Sequence, residues 1–482
     1  MTFQVPRLGP GAIYLRSLDG LFRSASDLIR VAEIEPQTLS TKGTAPGSVA
    51  RSSSMERRRL ATFPQRFLTH GVGYPIGGTV CDQQSHIGEF LLWTEGLNAP
   101  WTSEHLSILE LPGARGPQPC GFLMPPLQTD AQVELAVRNI RARAAAVGRP
   151  FAFETGVNYF SPRDCEMADG DFFAAVAESA DCGILLDLTN LWVNHKNGRA
   201  RIEDVIARLP LERVWEVHLA GIEFANGYWL DAHSGAIDSE LAEFALEVVA
   251  SLPNLGAIIF EVMPDRVSQF GAAAFLRQME VLNRLWEAAS RDPEQPVARA
   301  ERPRYVCHRT PSPGDWERFL AQRMLRDSGN VGTLEARPED ERSFRLYSIL
   351  ASSFRAGAIA ELLEHTTRLL LMGMGEPALR DLMDRYISST PPVGFPTDEV
   401  LSFRRFMDAH PIAIPGLKDM LKFETALIES AANNALVHVT LAKDIDAMLA
   451  DIAAERLPGS SSDQLPAVLE IGVDPAPFIR AL

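Results

Sequence analysis

Eight short apolar runs occupy the first 290 residues, and at least five of them deliver a carboxylate or an imidazole at their ends. FLTHG carries His70, WTSEHL carries Glu104 and His105, and FAFETG carries Glu154. GILLDLTN carries Asp187 with Asn190 after it, VWEVHLAG carries His218, YWLDAH supplies Asp231 and His233, and AIIFEV supplies Glu261. Neutral imidazoles and carboxylates are the nitrogen and oxygen donors of iron, manganese and zinc sites, and a carboxylate can bridge two cations through its two oxygens. The set is too large for one ion and fits two or three. Each residue alone has a bland explanation: Asp187 can cap the next helical turn, and Glu261 can pair with an arginine. The joint pattern is harder to explain that way, because buried parallel strands are near-continuously apolar. His86 and His195 lie close to these motifs and are read as loop residues.

The elements that must position these donors are strands. GAIYLR (11–16) and IRVAEIEP (29–36) start the series, and FLTHG, WTSEHL, FAFE, CGILLD, RVWEVHLA and GAIIFEV continue it. Helical periodicity fills the intervals, as in residues 130–147, which begin with a potentially capping Asp130, and in DSELAEFALEVVASL, with Asp238 near its start. Strand–helix alternation with apolar strands predicts a parallel sheet covered by helices, and a count of eight predicts closure into an α/β TIM barrel. In that fold the C-terminal ends of the strands share one rim, where chemistry takes place. Residues 38–60, rich in Ser, Gly and basic side chains, are expected to form a mobile loop or lid.

The expected organisation is a barrel over residues 1–290, a Pro- and charge-rich linker at 291–314, and a mostly α-helical domain over 315–482 with a small β-containing end. One long helical pattern runs from RSFRLYSIL to RLLLMGM, and ALVHVTL and AVLEIGV flank a helical DIDAMLADIAAE. The chain of 482 residues has a formal net charge of −16, which disfavours a nucleic-acid partner. The five cysteines form no CxxC pair, which disfavours structural zinc, iron–sulfur clusters and a disulfide scaffold. No apolar run approaches the ~20 residues of a membrane span, and the N-terminal residues carry no secretory pattern. A cytoplasmic protein without a membrane partner is expected.

LTHGVGYPIGG, SEHL, FETGVNYF, CGILLDLTNLWVN, VWEVHLAGIE with the following LDAHSG, and the strand ending FEV together resemble the DUF692 family, over roughly residues 10–290. These are the multinuclear non-heme iron-dependent oxidases (MNIO), which include the methanobactin synthase catalytic subunit. The resemblance implies a TIM barrel holding two or three Fe ions, with O2 as co-substrate. It also implies a ribosomally made precursor peptide as substrate, modified at Cys, in natural-product biosynthesis. It implies metal ligation by His70, His105, Glu154, Asp187, Asn190, His218, Asp231, His233 and Glu261, with Glu154, Asp187 and His218 central to catalysis. The chain departs from the family pattern at Thr155, Thr189 and Ser234, where Asn, Asn and Asp are usual, and none of these removes a ligand. The segment from LRDLMDRYISS to KFETALIES resembles the helical DUF2063-like partner proteins that present the peptide to such barrels. It implies a partner-like, peptide-binding domain fused in cis.

Two other readings fit the residues themselves. A zinc- or manganese-dependent TIM-barrel hydrolase or isomerase would use the same donors. A non-catalytic peptide-binding protein would retain the barrel without turnover.

Overall fold

The structure is a computed structural model that describes residues 3–42, 50–52, 54–81, 87–113, 116–289, 311–325, 334–459, 463–472 and 478–481. Eight parallel strands form a closed barrel. They are β1 (Gly9–Ile13), β2 (Val31–Ile34), β3 (Arg66–Gly71), β4 (Thr102–His105), β5 (Phe151–Glu154), β6 (Gly183–Asp187), β7 (Val214–Ala220) and β8 (Ala257–Glu261). Each pairs with its sequence neighbour, and β1 closes the ring on β8 with Gly9 opposite Ala257 and Ala12 opposite Phe260. Closure is tight at β1: a Cβ at Gly11 would fall 2.2 Å from the Val31 carbonyl oxygen, so only glycine fits.

Side chains alternate between the two faces of each strand. One set, including Ala12, Ile34, Phe67, Phe153, Ile184, Leu186, Val217 and Phe260, packs outward against the surrounding helices in the main core. The other set faces the lumen. At the N-terminal end of the barrel it is apolar, with Val31, Leu68, Trp101, Ala152, Leu185, Ala257 and Ile259 in one cluster. Two residues further along, the same face presents Glu33, His70, Ser103, Glu154, Asp187 and Glu261, so a period of two carries each strand from a greasy plug to a polar ring.

Local capping explains where the helices start. The 130–147 helix is capped by Thr129, whose side chain accepts from the Gln132 amide, so Asp130 is its first residue rather than its cap. Asp238 caps Ser239–Ala250 by accepting from the amides of Glu240 and Leu241. Within 38–60, Ser40–Lys42 pairs with Ala50–Ser52 in a two-stranded sheet and Ser54–Leu60 is helical, so this stretch carries more order than the expected loop; residues 43–49 and 53 lie outside the described residues.

The chain divides into two compact units. The first holds the barrel and extends to Leu346, and the second comprises residues 40–51, 118–122 and 347–482. Of the expected linker at 291–314, residues 291–310 lie outside the described residues. The helix Pro313–Met324 belongs to the first unit. Trp316 donates to the Pro125 carbonyl at 2.9 Å and lies edge-on to Phe160 at 5.3 Å, while Phe344 meets Phe160 at 5.0 Å.

The long helical pattern is two helices, Pro338–Leu362, which enters the second unit at Tyr347, and Glu364–Ser389, itself kinked at Gly375; the two are bent by 105°. The break at Leu363 is stabilised because Glu424 accepts from the amides of His365 and Thr366, both at 2.9 Å. Two further helices, Pro396–Ala409 and Leu417–Asn433, share its core. An antiparallel sheet of Val437–Lys443, Asp463–Gly472 and Phe478–Ala481 forms the β-containing end, its first two strands separated by Ile445–Ala453. Among the described residues no single helix is long and apolar enough to cross a membrane, and the bent pair that passes on composition buries Ile359, Leu363, Leu369 and Leu370 in its own core.

Candidate metal centre

The polar ring of the lumen is assembled by the strand ends. His70 comes from β3, His105 from β4, Glu154 from β5, Asp187 from β6, His218 from β7 and Glu261 from β8. Asp231 ends the hairpin Ile222–Ala225/Tyr228–Asp231 that leaves β7, and His233 follows it. His233 adopts φ 46°, a strained backbone for a non-glycine residue, of the kind that clusters at functional sites. At Gly71 a Cβ would fall 2.1 Å from Glu104 Oε2, so a glycine beside His70 leaves room for that buried carboxylate.

The donors fall into overlapping groups, each with one ligand atom per residue within 4.8 Å of the others. These are His70/His105/Glu154, Glu154/Asp187/His218, Asp187/His233/Glu261 and Glu33/His218/Glu261. Glu154 Oε2 lies 2.5 Å from His105 Nδ1 and 3.2 Å from His70 Nε2. Glu261 approaches His218 Nδ1 at 3.2 Å through Oε1 and His233 Nε2 at 3.1 Å through Oε2, so its two oxygens serve two imidazoles. Asp231 Oδ1 joins at 3.2 Å from His233 Nε2. His70 Nδ1 lies 2.9 Å from Ser103 Oγ, a contact that orients the ring from behind.

Asp187 performs the bland role and keeps a second one. Its Oδ1 accepts from the Asn190 amide at 2.7 Å and caps Leu188–Lys196, while its Oδ2 is buried without a partner. The Asn190 side-chain NH2 donates to the Thr155 carbonyl at 3.3 Å, which aims the unpaired Oδ1 elsewhere. His195 is apart from the cluster: its Nδ1 accepts from the Ile202 amide at 3.2 Å and its ring stacks on Trp192. His86 lies outside the described residues.

Three acidic residues in and around this lumen are missing from the sequence-derived set. Glu33 on β2 and Glu216 on β7 are fully buried, and Glu33 Oε1 sits 3.1 Å from His218 Nε2. Glu35 lies just past β2, where burial raises its pKa to about 7 against the pull of His70. The signal was available: an acid inside an apolar strand, two residues before another ionisable group on the same face, as in VAEIE and VWEVH.

The electrostatics describe a cluster in need of positive charge. Burial and the Glu216 charge push Glu33 up to about 8. Burial and the charges of Asp231, Glu154 and Glu261 hold Asp187 well above the usual carboxylate range. Burial alone would lower the imidazoles, but Glu154 raises His70 to about 10, and Asp231 and Glu261 raise His233 to about 10. Despite these close approaches, Glu33 Oε1 and Oε2, Glu154 Oε2, Asp187 Oδ2, Asn190 Oδ1, Asp231 Oδ1, His233 Nε2 and both nitrogens of His218 are buried without a hydrogen-bond partner. A buried polar atom left unpaired costs about 1–3 kcal/mol. Atoms that crowd a shared point without in-line hydrogen bonds are the donor set a divalent cation satisfies, and mixed N/O donors suit iron, manganese or zinc.

Fold and site together define a TIM barrel with clusters of candidate metal ligands at the C-terminal ends of its strands. Residues 32–264 match the family described as RiPP precursor modification enzyme MbnB/TglH/ChrH, RiPP denoting ribosomally synthesised and post-translationally modified peptides. A UPF0276 protein of Chromobacterium violaceum is 31% identical over 196 residues, which cover 41% of this chain and 69% of that protein. A UPF0276 protein of Anaeromyxobacter sp. is 30% identical over 192 residues, covering 40% of this chain and 66% of that protein. Among solved structures, a D-psicose 3-epimerase from Clostridium cellulolyticum H10 covers 58% of this chain and 99% of its own at 12% identity and a TM-score of 0.40. The chain belongs to the DUF692 (MNIO) family of RiPP precursor modification enzymes.

Proposed function

We propose that this protein is an O2-dependent, multinuclear non-heme iron oxidase that modifies a ribosomally made precursor peptide at a cysteine, in the cytoplasm. The observation that carries the proposal is the convergence of buried, unpartnered nitrogen and oxygen atoms in a barrel of this family. In this reading His70, His105 and Glu154 hold one ion. Asp187, Asn190, His218, Asp231, His233 and Glu261 hold one or two more, and Glu154 reaches both groups. Bound iron would supply O2 chemistry and a site for a peptide thiolate. The chain's own residues do the rest. Ser103 orients His70, the Asn190 amide fixes Asp187, and the apolar plug of Val31, Leu68, Leu185 and Ile259 keeps water from entering below. The second compact unit serves as the peptide-binding partner in cis, where a tether holds the two halves at an effective concentration of about millimolar.

The test is anaerobic reconstitution with Fe(II), metal analysis, and O2 uptake in the presence of a cysteine-containing candidate precursor peptide, followed by mass spectrometry. Two or three irons per chain and an O2-dependent mass change on the peptide are expected. Zinc or manganese binding with no O2 uptake would replace the oxidase by a hydrolase or isomerase.

A further inference from the structure

Glu33 and Glu216 are not among the ligands of the proposed function, although Glu33 shares one donor group with His218 and Glu261, and both line the floor of the centre. His218 stands between two sets of carboxylates. Its Nδ1 lies 3.2 Å from Glu261 Oε1, on the side of Asp187 and His233. Its Nε2 lies 3.1 Å from Glu33 Oε1 and 3.7 Å from Glu216 Oε1. Glu216 is partly committed, because Trp101 Nε1 donates to its Oε2 at 2.9 Å. Both oxygens of Glu33 lack a partner. Around them the floor is Val31, Leu68, Leu185 and Ile259, where a carboxylate costs folding free energy and gains no packing.

We infer that Glu33, 3.1 Å from His218 Nε2 but not in line with it in the metal-free chain, is a positioning residue that accepts the Nε2–H when Nδ1 is committed to the metal. The inference rests on the metal-centre reading above. A neutral imidazole carries one proton, and the nitrogen that binds a cation must be the bare one. With Nδ1 turned to the Glu261 side, the proton resides on Nε2, buried at the floor. Glu33 is the nearest acceptor to it. Glu216 Oε1, at 3.7 Å, is farther from the same nitrogen, and its other oxygen is held by Trp101. β2 and β7 are not neighbours in the sheet, so this contact spans the lumen and sets the ring plane independently of strand pairing.

The test compares Fe(II) affinity, by competition with a chromogenic chelator, in the wild type and in Glu33→Ala, Glu33→Met and Glu33→Gln full-length chains. Thermal unfolding of each metal-free protein is measured alongside. Alanine and methionine should weaken Fe(II) binding about 10- to 100-fold. Glutamine, whose amide oxygen still accepts an N–H, should recover most of the loss. The metal-free Tm of the alanine and methionine variants should stay level or rise, and methionine fills the volume should alanine prevent folding. Equal loss in the glutamine and alanine variants would overturn the inference, because the charge of Glu33 would then be ligating directly. Unchanged affinity, or a metal-free Tm that falls in step with affinity, would overturn it too. If the wild type itself takes up no Fe(II), the metal-centre reading has failed first and the inference falls with it.

Discussion

Glu399 in the second compact unit is as deeply buried as Glu154 in the barrel, yet the two carboxylates are in opposite conditions. Glu399 accepts from Arg355 Nε at 2.8 Å and from the Tyr386 hydroxyl at 2.6 Å, and Glu424 nearby in sequence order closes a helix N-terminus with both oxygens. Every one of those oxygens has a protein donor. The barrel lumen gathers Glu33, Glu154, Asp187 and Asp231 and leaves an oxygen of each without one. The difference separates polar burial that serves the fold from polar burial held for something the chain does not itself provide. A satisfied network stabilises, and a half-satisfied one costs more than an apolar core.

The largest expected effect strikes the lumen. Asp187→Ala or His218→Ala should remove most of the bound metal and lower peptide turnover by more than about 100-fold, beyond what loss of an outer partner does. Metal-free Asp187→Ala should lose only about 1 kcal/mol of stability, the cost of the cap it also provides to Leu188–Lys196. Metal analysis beside calorimetry checks both halves, and full iron in both variants would end the assignment.

The reverse pattern is expected in the second unit. Arg355→Ala strands Glu399 and should destabilise that unit by about 3–5 kcal/mol in urea unfolding, with metal content unchanged. Should the variant lose iron at the barrel while staying folded, the contrast between the two networks breaks down.

Proton linkage sharpens the contrast next. In the metal-free protein His70 and His233 have pKa values raised to about 10, so both carry protons at neutral pH. Ligation requires the bare nitrogen, so uptake releases protons and affinity rises with pH, by about tenfold per unit for each proton released. Calorimetric titrations in two buffers of different ionisation enthalpy should report that release, and heats that match in both would contradict it.

The smallest effect belongs to a fully satisfied surface motif. Ser312 and Asp315 form a capping box at Pro313–Met324, which holds the Asp315 carboxyl down to about 2. Ser312→Ala should cost about 1 kcal/mol and leave metal binding alone. Because the folded value is depressed, the contribution of Asp315 is present above its ordinary range and fades as pH falls toward 2. Equal acid sensitivity in wild type and Ser312→Ala would show the box to be inert.

Much of the barrel was legible because its signals are local. Strand, turn and helix patterns recur with periods of 2 and 3.6, and the polar strand ends announce themselves against apolar runs. Attention to the ends also explains the omission of Glu33 and Glu216. They lie one alternation inside their strands, on the same face as Glu35 and His218, where an acid does not mark a strand end. The bend at Leu363 was missed for a different reason. Its stabilising carboxylate, Glu424, is about sixty residues away, and no window of sequence contains both.

By itself the sequence determined which side chains could donate to a metal and which face of each strand they share. Tertiary structure decided which of them meet. Period-two alternation says that a residue points into a lumen, but not how far away the opposite wall lies. Closure of β1 on β8 fixes that diameter. It brings Glu33 to within 3.1 Å of His218 from strands that share no hydrogen bond. It also leaves Asp187 with one oxygen bound to its own helix and the other facing its neighbours across the barrel.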